Sequence, residues 1–129
     1  MSKLYARAKV KLENALADYR KISNDDAYVD DCCYNLQQAI EMMLKYMVEM
    51  TGHNYVENHD IRAQINSLDA AGVQIPARDK LRSLAVTINE WETKSRYSNT
   101  FTALIDDIND AIAIAQKLSD YCDSLVEEL

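Results

Sequence analysis

The stretch CCYNLQQAIEMMLKYM, residues 32–47, decides the fold. Read at 3.6 residues per turn, it is apolar on most sides through Cys32, Cys33, Leu36, Ala39, Ile40, Met43, Leu44 and Met47. A polar stripe nevertheless crosses its middle. Gln37, Glu41 and Lys45 stand at i, i+4 and i+8 on one face, and Gln38 is turned from them by about 100°. Two readings of that stripe stay open. In one it is a solvated strip, with Glu41 and Lys45 as a surface pair worth about 0.2–0.5 kcal/mol. In the other, its amides and charges form a specific contact, across a dimer or to a nucleotide.

Working outward, Tyr28 and Val29 extend the apolar set upstream and Val48 extends it downstream. The helix then spans about 26–51 and stops at Gly52, a residue suited to ending a helix. Its length is roughly 39 Å. An apolar band this wide suits a central helix, or one buried on a second side by a partner chain. Upstream, Leu4, Ala8, Leu12, Ala15, Leu16, Tyr19 and Ile22 recur every three or four residues and predict a helix over about 2–22. Downstream, Asn58 is placed to cap a short helix over 59–71, whose Ile61, Ile65 and Leu68 form a narrow face. Pro76 suits the opening of a fourth helix over about 76–94, which buries Leu81, Leu84, Ala85, Ile88 and Trp91. SRYSNT, residues 95–100, interrupts again, and Ser98, Asn99 and Thr100 are each able to cap the next helix. Beyond it Ile105, Ile108, Ile112, Ala115, Ser119, Cys122, Val126 and Leu129 predict one seam of a fifth helix over about 100–128. Two glycines and one proline leave little turn chemistry for a sheet. The expected fold is all-α: an antiparallel up-and-down bundle of four main helices plus a short fifth, in one domain over 1–129.

Composition narrows the function. The net charge of −7 repels phosphate over most of the surface, so direct DNA binding is not expected. No apolar run approaches the roughly 20 residues of a membrane span. The opening segment MSKLYARAKVKLENALADYR is basic but carries acids and no apolar centre, unlike a signal or transit peptide. Three cysteines, two of them adjacent, do not make a disulfide framework, and a reducing, cytoplasmic location is expected. His53 and His59 lack the spacing of a metal pair, so neither a metal nor a cofactor is expected.

The run CCYNLQQAIEMMLKYMVEMTG, then HDIRAQI, then SRY before a final helix, resembles the HEPN family, named for higher eukaryotes, prokaryotes and nucleotide binding. In that family the second helix carries a glutamine pair, then alanine, glutamate and lysine, matched by Gln37, Gln38, Ala39, Glu41 and Lys45. A histidine opens the following short helix, as His59 does, and an Arg-Tyr pair precedes the last helix, as Arg96 and Tyr97 do. The resemblance covers about residues 3–125. It implies an up-and-down helical bundle that commonly forms a homodimer.

Many HEPN proteins are metal-independent ribonucleases that place a histidine four to six residues after an arginine. There the histidine serves as general acid/base and the arginine steadies phosphate. After Arg96 this chain reads YSNTFTALIDD, and both histidines precede Arg62, Arg78, Arg82 and Arg96. Neither Arg7 nor Arg20 has a histidine at that distance. The motif is absent, so no catalytic residue is assigned. Other members are partners of a small nucleotidyltransferase encoded nearby, in prokaryotic pairs of toxin–antitoxin type. The Gln-Gln, Glu, Lys and Arg-Tyr pattern resembles this non-nuclease branch, although Ser98 stands where members often have proline after Arg-Tyr. The resemblance thus implies a binding module that meets a nucleotide or a nucleotidyltransferase protein through Gln37, Gln38, Glu41, Lys45, His59, Arg96 and Tyr97. The alternatives are a ribonuclease with a degenerate site, joining His59 and Arg96 in space, and a plain structural or regulatory helical dimer.

The remaining features favour packing. Cys32 and Cys33 read as small core hydrophobes, since no cation stands near to favour a thiolate. The methionines read as core filling, with Met42 and Met50 turned towards a partner. Asp106, Asp107 and Asp110 answer the positive end of a helix rather than a metal. Arg96 is expected in a loop, free to reach a phosphate or a carboxylate. The basic group Arg78, Lys80 and Arg82 is expected to be solvated.

Overall fold

The structure, a computed structural model, describes residues 2–98 and 101–128. Five helices form among them: α1 (Leu4–Tyr19), α2 (Ala27–Met50), α3 (Ile61–Ala70), α4 (Arg78–Tyr97) and α5 (Ile105–Glu127). The all-α bundle expected from periodicity is what forms, and α2 is its axis. It is the longest helix and the one that touches each of the other four.

Direction is set by pairs along the helices. Tyr5 stacks on Tyr46 with ring centroids 5.4 Å apart, while the Cys32 Sγ reaches the Ala15 carbonyl at 3.4 Å. Rising numbers in α1 therefore meet falling numbers in α2, and the two run antiparallel. The Tyr5 hydroxyl also meets Ser119 at 2.8 Å, whereas the Tyr19 hydroxyl donates to Asn109 at 2.5 Å, so α5 is antiparallel to α1 as well. In the same way Asp69 with Arg78 and Asn66 with Arg82 make α3 and α4 an antiparallel pair. No Cα–Cα approach within 8 Å joins α1 to α3 or α4. One flank of α2 thus lies between α1 on one side and the α3–α4 pair on the other.

The core is a single cluster around α2. Leu36, Ile40, Met43, Leu44 and Met47 are fully enclosed, together with Ile61, Ile65 and Leu68 from α3, Ile88 and Trp91 from α4, and Ile108 from α5. Each such side chain removed from water contributes about 1.5–3 kcal/mol. Trp91 is the core anchor its position in the apolar stripe implies. Met42 and Met50 are only partly covered and lie against this cluster.

Four local expectations need correction. α3 is capped by Asp60, whose carboxylate accepts from the Arg62 N–H at 2.9 Å, rather than by Asn58. Asn58 acts one step earlier, accepting from the Asp60 N–H at 3.0 Å. From α4, Asn89 secures the same corner, donating to Asp60 at 2.8 Å and accepting from the Ile61 N–H at 2.9 Å. α4 opens at Arg78, two residues after Pro76, because Ala77 takes the left-handed conformation at φ 54°.

α4 also runs on to Tyr97, so Arg96 and Tyr97 sit in its last turn and not in a loop. Basic Lys94 and Arg96 suit the negative end of a helix, and the Arg96 Nε donates to the Glu92 carbonyl at 2.9 Å. In α5 the buried seam is Ile108, Ala111, Ala115, Leu118 and Cys122, with Ile114 beside it. Ile105 and Val126 fall at the exposed ends of that helix. The expected caps Asn99 and Thr100, and Leu129 of the expected seam, lie outside the described residues. Gly52 does end α2 as expected, at φ 83°.

Candidate functional site

The polar stripe of α2 is not solvated. Gln37 has 0 % of its surface exposed, Glu41 3 % and Lys45 8 %. Burying a carboxylate and an ammonium is costly unless each is paired and its remaining hydrogen-bonding capacity used. Here it is used. The Gln38 Nε2 donates to the Gln37 Oε1 at 2.7 Å, and the Gln37 Nε2 donates to the Glu41 Oε1 at 2.8 Å. The Lys45 ammonium donates to the Glu41 Oε2 at 3.1 Å.

His59 reaches the same carboxylate from outside the helix. Its Nδ1 lies 3.0 Å from one Glu41 oxygen and 3.2 Å from the other. The turn that ends α2 and the cap that opens α3 hold this loop in place, and 64 % of the His59 side chain remains open to solvent. Tyr55, from the same loop, presents its ring 5.3 Å from the Lys45 ammonium. Lys45, Tyr55, Glu57, Asn58 and His59 line a shallow depression of about 290 Å³ beside Glu41. The bonded chain Gln38–Gln37–Glu41–His59, with Lys45 on the second carboxylate oxygen, is therefore one unit, reachable from solvent at its histidine end.

Arg96 approaches the other end of the stripe, with Tyr97 beside it. The Arg96 guanidinium lies 4.9 Å from the centre of the Tyr34 ring and 5.0 Å from that of Tyr97, and it pairs with Glu92 at 2.7 Å. Tyr34 is one helical turn before Gln38, so the arginine belongs to the same face of α2. Tyr34 and Glu41 are seven positions apart, or roughly 10 Å along the axis. Gln37, Gln38, Glu41, Lys45 and His59 are thus gathered in one array, with Arg96 about two turns from the histidine. Tyr97 is largely open, 73 % exposed.

Tyr34, Tyr55 and Lys11 complete this face, and the sequence reading passed over them. Tyr34 was within reach of periodicity, four residues before Gln38 on the same stripe. Tyr55 and Lys11, which stands 5.4 Å from the Tyr34 ring, come from other segments and gave no local signal.

Elsewhere, apparent reactive groups are occupied. Arg78 pairs with Asp69 at 2.7 Å, Lys80 with Asp110 at 3.1 Å, and Arg82 donates to Asn66 at 3.2 Å, so that basic group is bonded rather than merely wet. All three cysteines are buried and unpaired with one another, and burial pushes each thiol up, Cys32 and Cys122 to about 12. Among the described residues no three of His, Cys, Asp or Glu are gathered as a metal site. Among the described residues no helix is long and apolar enough to cross a membrane.

Comparison with known proteins agrees with this architecture. The family model described as HEPN domain matches residues 1–125. No curated protein and no solved structure matches the chain. With nearly its whole length matched and the helical bundle in place, the chain belongs to the HEPN domain family.

Proposed function

We propose that this protein is a non-catalytic binding module that engages a nucleotide, a minimal nucleotidyltransferase protein, or both. It works as a homodimer in the prokaryotic cytoplasm, in a pair of toxin–antitoxin type. One observation carries the reading: a bonded amide and charge array occupies the middle of the most apolar helix. An apolar stripe of the same shape would be as stable or more so, since replacing a buried ion pair by hydrophobic residues is often neutral or stabilising. Groups of this kind are suited to recognition, with amides for a base or peptide and cations for phosphate or carboxylate.

Two features weigh against a ribonuclease. No histidine follows an arginine at four to six residues, and the only histidine on this face is bonded to Glu41 while Arg96 meets Tyr34 two turns away. General acid/base catalysis at a phosphate needs both groups at one reacting centre. A second reading has its own support: Glu41 is fully paired within the chain, so the array also serves to fix one packing of α2.

Calorimetric titration with ATP and other nucleotides, and co-purification with the product of the adjacent gene, test the main reading. Binding in either experiment is expected, with a dimer in light scattering. Silence in both leaves the packing role alone. Incubation with RNA is expected to give no cleavage, and cleavage abolished by His59→Ala would return the protein to the nuclease branch.

A further inference from the structure

We propose that Lys11 of α1 and Arg96 of α4, both held over the Tyr34 ring, form an anion subsite for the phosphates of a nucleotide seated on α2. This inference rests on the binding-module reading above and adds Lys11 and Tyr34 to the groups that carry it.

Charge placement is the starting point. Acids outnumber bases 21 to 14, so a surface cation has acids in ready supply. Five of the fourteen bases, Lys45, Arg78, Lys80, Lys94 and Arg96, pair with one among the described residues, and nine do not. Lys11 is one of the nine. Among the described residues its ammonium makes no hydrogen bond or ion pair and meets only the Tyr34 ring, at 5.4 Å. Residues 3–12 carry Lys3, Arg7, Lys9 and Lys11 and no acid, in a chain whose overall charge is −7. Arg7 lies one turn before Lys11 on the same side of α1 and likewise makes no ion pair among the described residues.

Geometry then concentrates that charge. Arg96 meets the same ring at 4.9 Å, so the two cationic groups stand no more than about 10 Å apart. Each gains about 0.5–1 kcal/mol from an exposed ring; Arg96 is also answered by Glu92 at 2.7 Å, whereas Lys11 has no acid paired with it. α1 and α4 make no Cα–Cα approach within 8 Å, so the two helices are not packed against one another. A phosphate chain entering between α1 and α4 meets an ammonium on one side and a guanidinium on the other. One turn further along α2 come the enclosed Gln38 and Gln37 amides, and beyond them the solvent-open His59 imidazole, which the base would meet.

Titration calorimetry with inorganic triphosphate, ATP and adenosine separates the two levels. The full-length protein is expected to bind triphosphate in a salt-sensitive manner. Lys11→Met, which keeps the aliphatic stem over Tyr34, is expected to weaken that binding about tenfold, and Lys11→Arg to restore it. Arg7→Gln is expected to weaken it less, and circular dichroism checks that each variant folds. Absence of triphosphate binding, or binding indifferent to Lys11→Met, overturns the subsite. ATP bound no better than triphosphate leaves the subsite standing and sinks the nucleotide reading. ATP bound well but unaffected by Lys11→Met does the reverse.

Discussion

His59 and Glu41, 18 residues apart in the chain, meet at 3.0 Å, and this contact ties the loop before α3 to the middle of α2. It gives a carboxylate that is 3 % exposed a path to solvent through an open imidazole. Glu41 thereby serves three donors: Gln37, Lys45 and His59. A group with three partners is a joint, and joints respond non-additively when cut.

Lys45→Met removes the ammonium 3.1 Å from Glu41 and leaves that carboxylate buried beside one amide and one half-open histidine. The expected cost is about 3 kcal/mol in urea denaturation. The double variant Glu41→Gln with Lys45→Met removes both charges, and is expected to cost less than the sum of the single variants by at least about 1 kcal/mol. Simple additivity would mean that the pair is solvated in effect.

His59→Ala is expected to separate binding from stability. Most of the ring is open to water, so its loss is expected to lower stability by about 0–1 kcal/mol. The same variant removes the outer donor or acceptor of the array, and its nucleotide or partner affinity is expected to fall several-fold. An unfolded His59→Ala protein would show that the contact is chiefly structural.

Asp18 supplies the pH dependence. It is 9 % exposed at the end of α1, where burial and the neighbouring Asp31 carboxylate push its carboxyl up from 3.8 to about 6, partly relieved by the Asn35 amide at 3.1 Å and by Lys21. The folded state holds this proton more tightly than the unfolded chain does. Its contribution is therefore full below about pH 4 and is lost as pH rises through about 6. Asp18→Asn keeps an acceptor for Asn35 and removes the charge. It is expected to raise stability at pH 7 by about 1–2 kcal/mol, and the difference from the parent is expected to vanish below about pH 4. Denaturation curves of both proteins from pH 3 to 8 check the sign.

The thiols give a solution test of the core. Cys32, Cys33 and Cys122 are fully enclosed, and burial raises all three above the ordinary thiol range. Labelling of the native protein at pH 8 is expected to run about a hundredfold or more slower than in denaturant, where all three react. Rapid labelling of one cysteine in the native state would place a gap in the α2 packing.

Much of this was legible in the sequence because α2 is legible: its apolar positions recur at helical spacing, and Gly52 stops it where expected. The stripe itself was visible, but its burial was not. Whether Glu41 and Lys45 are wet or enclosed depends on His59 and Tyr55, which arrive from another segment by tertiary packing. The end of α4 was misplaced for a related reason, since Ser95 and Ser98 read as breakers while the Arg96 side chain bonds back along the helix and extends it. The seam of α5 was shifted because Ile105 and Val126 keep helical spacing yet extend past the neighbours that could cover them.

Ala77 offers the last and simplest check. It precedes α4 with φ 54° and ψ 32°, a left-handed conformation that costs a residue bearing a Cβ about 1–2 kcal/mol. Periodicity does not reveal it, and Pro76 disguises it by suggesting a helix start of its own. Glycine adopts this conformation without strain but gives up more freedom on folding, about 0.5–1 kcal/mol. The balance favours the folded state, so Ala77→Gly is expected to stabilise the protein by about 0.5–1 kcal/mol, read as a rise in the denaturation midpoint with an unchanged slope. Ala77→Val, with a branched side chain at the same φ, is expected to destabilise it by more than glycine gains. If glycine and valine shift the midpoint in the same direction, the turn between Pro76 and Arg78 is not left-handed in solution.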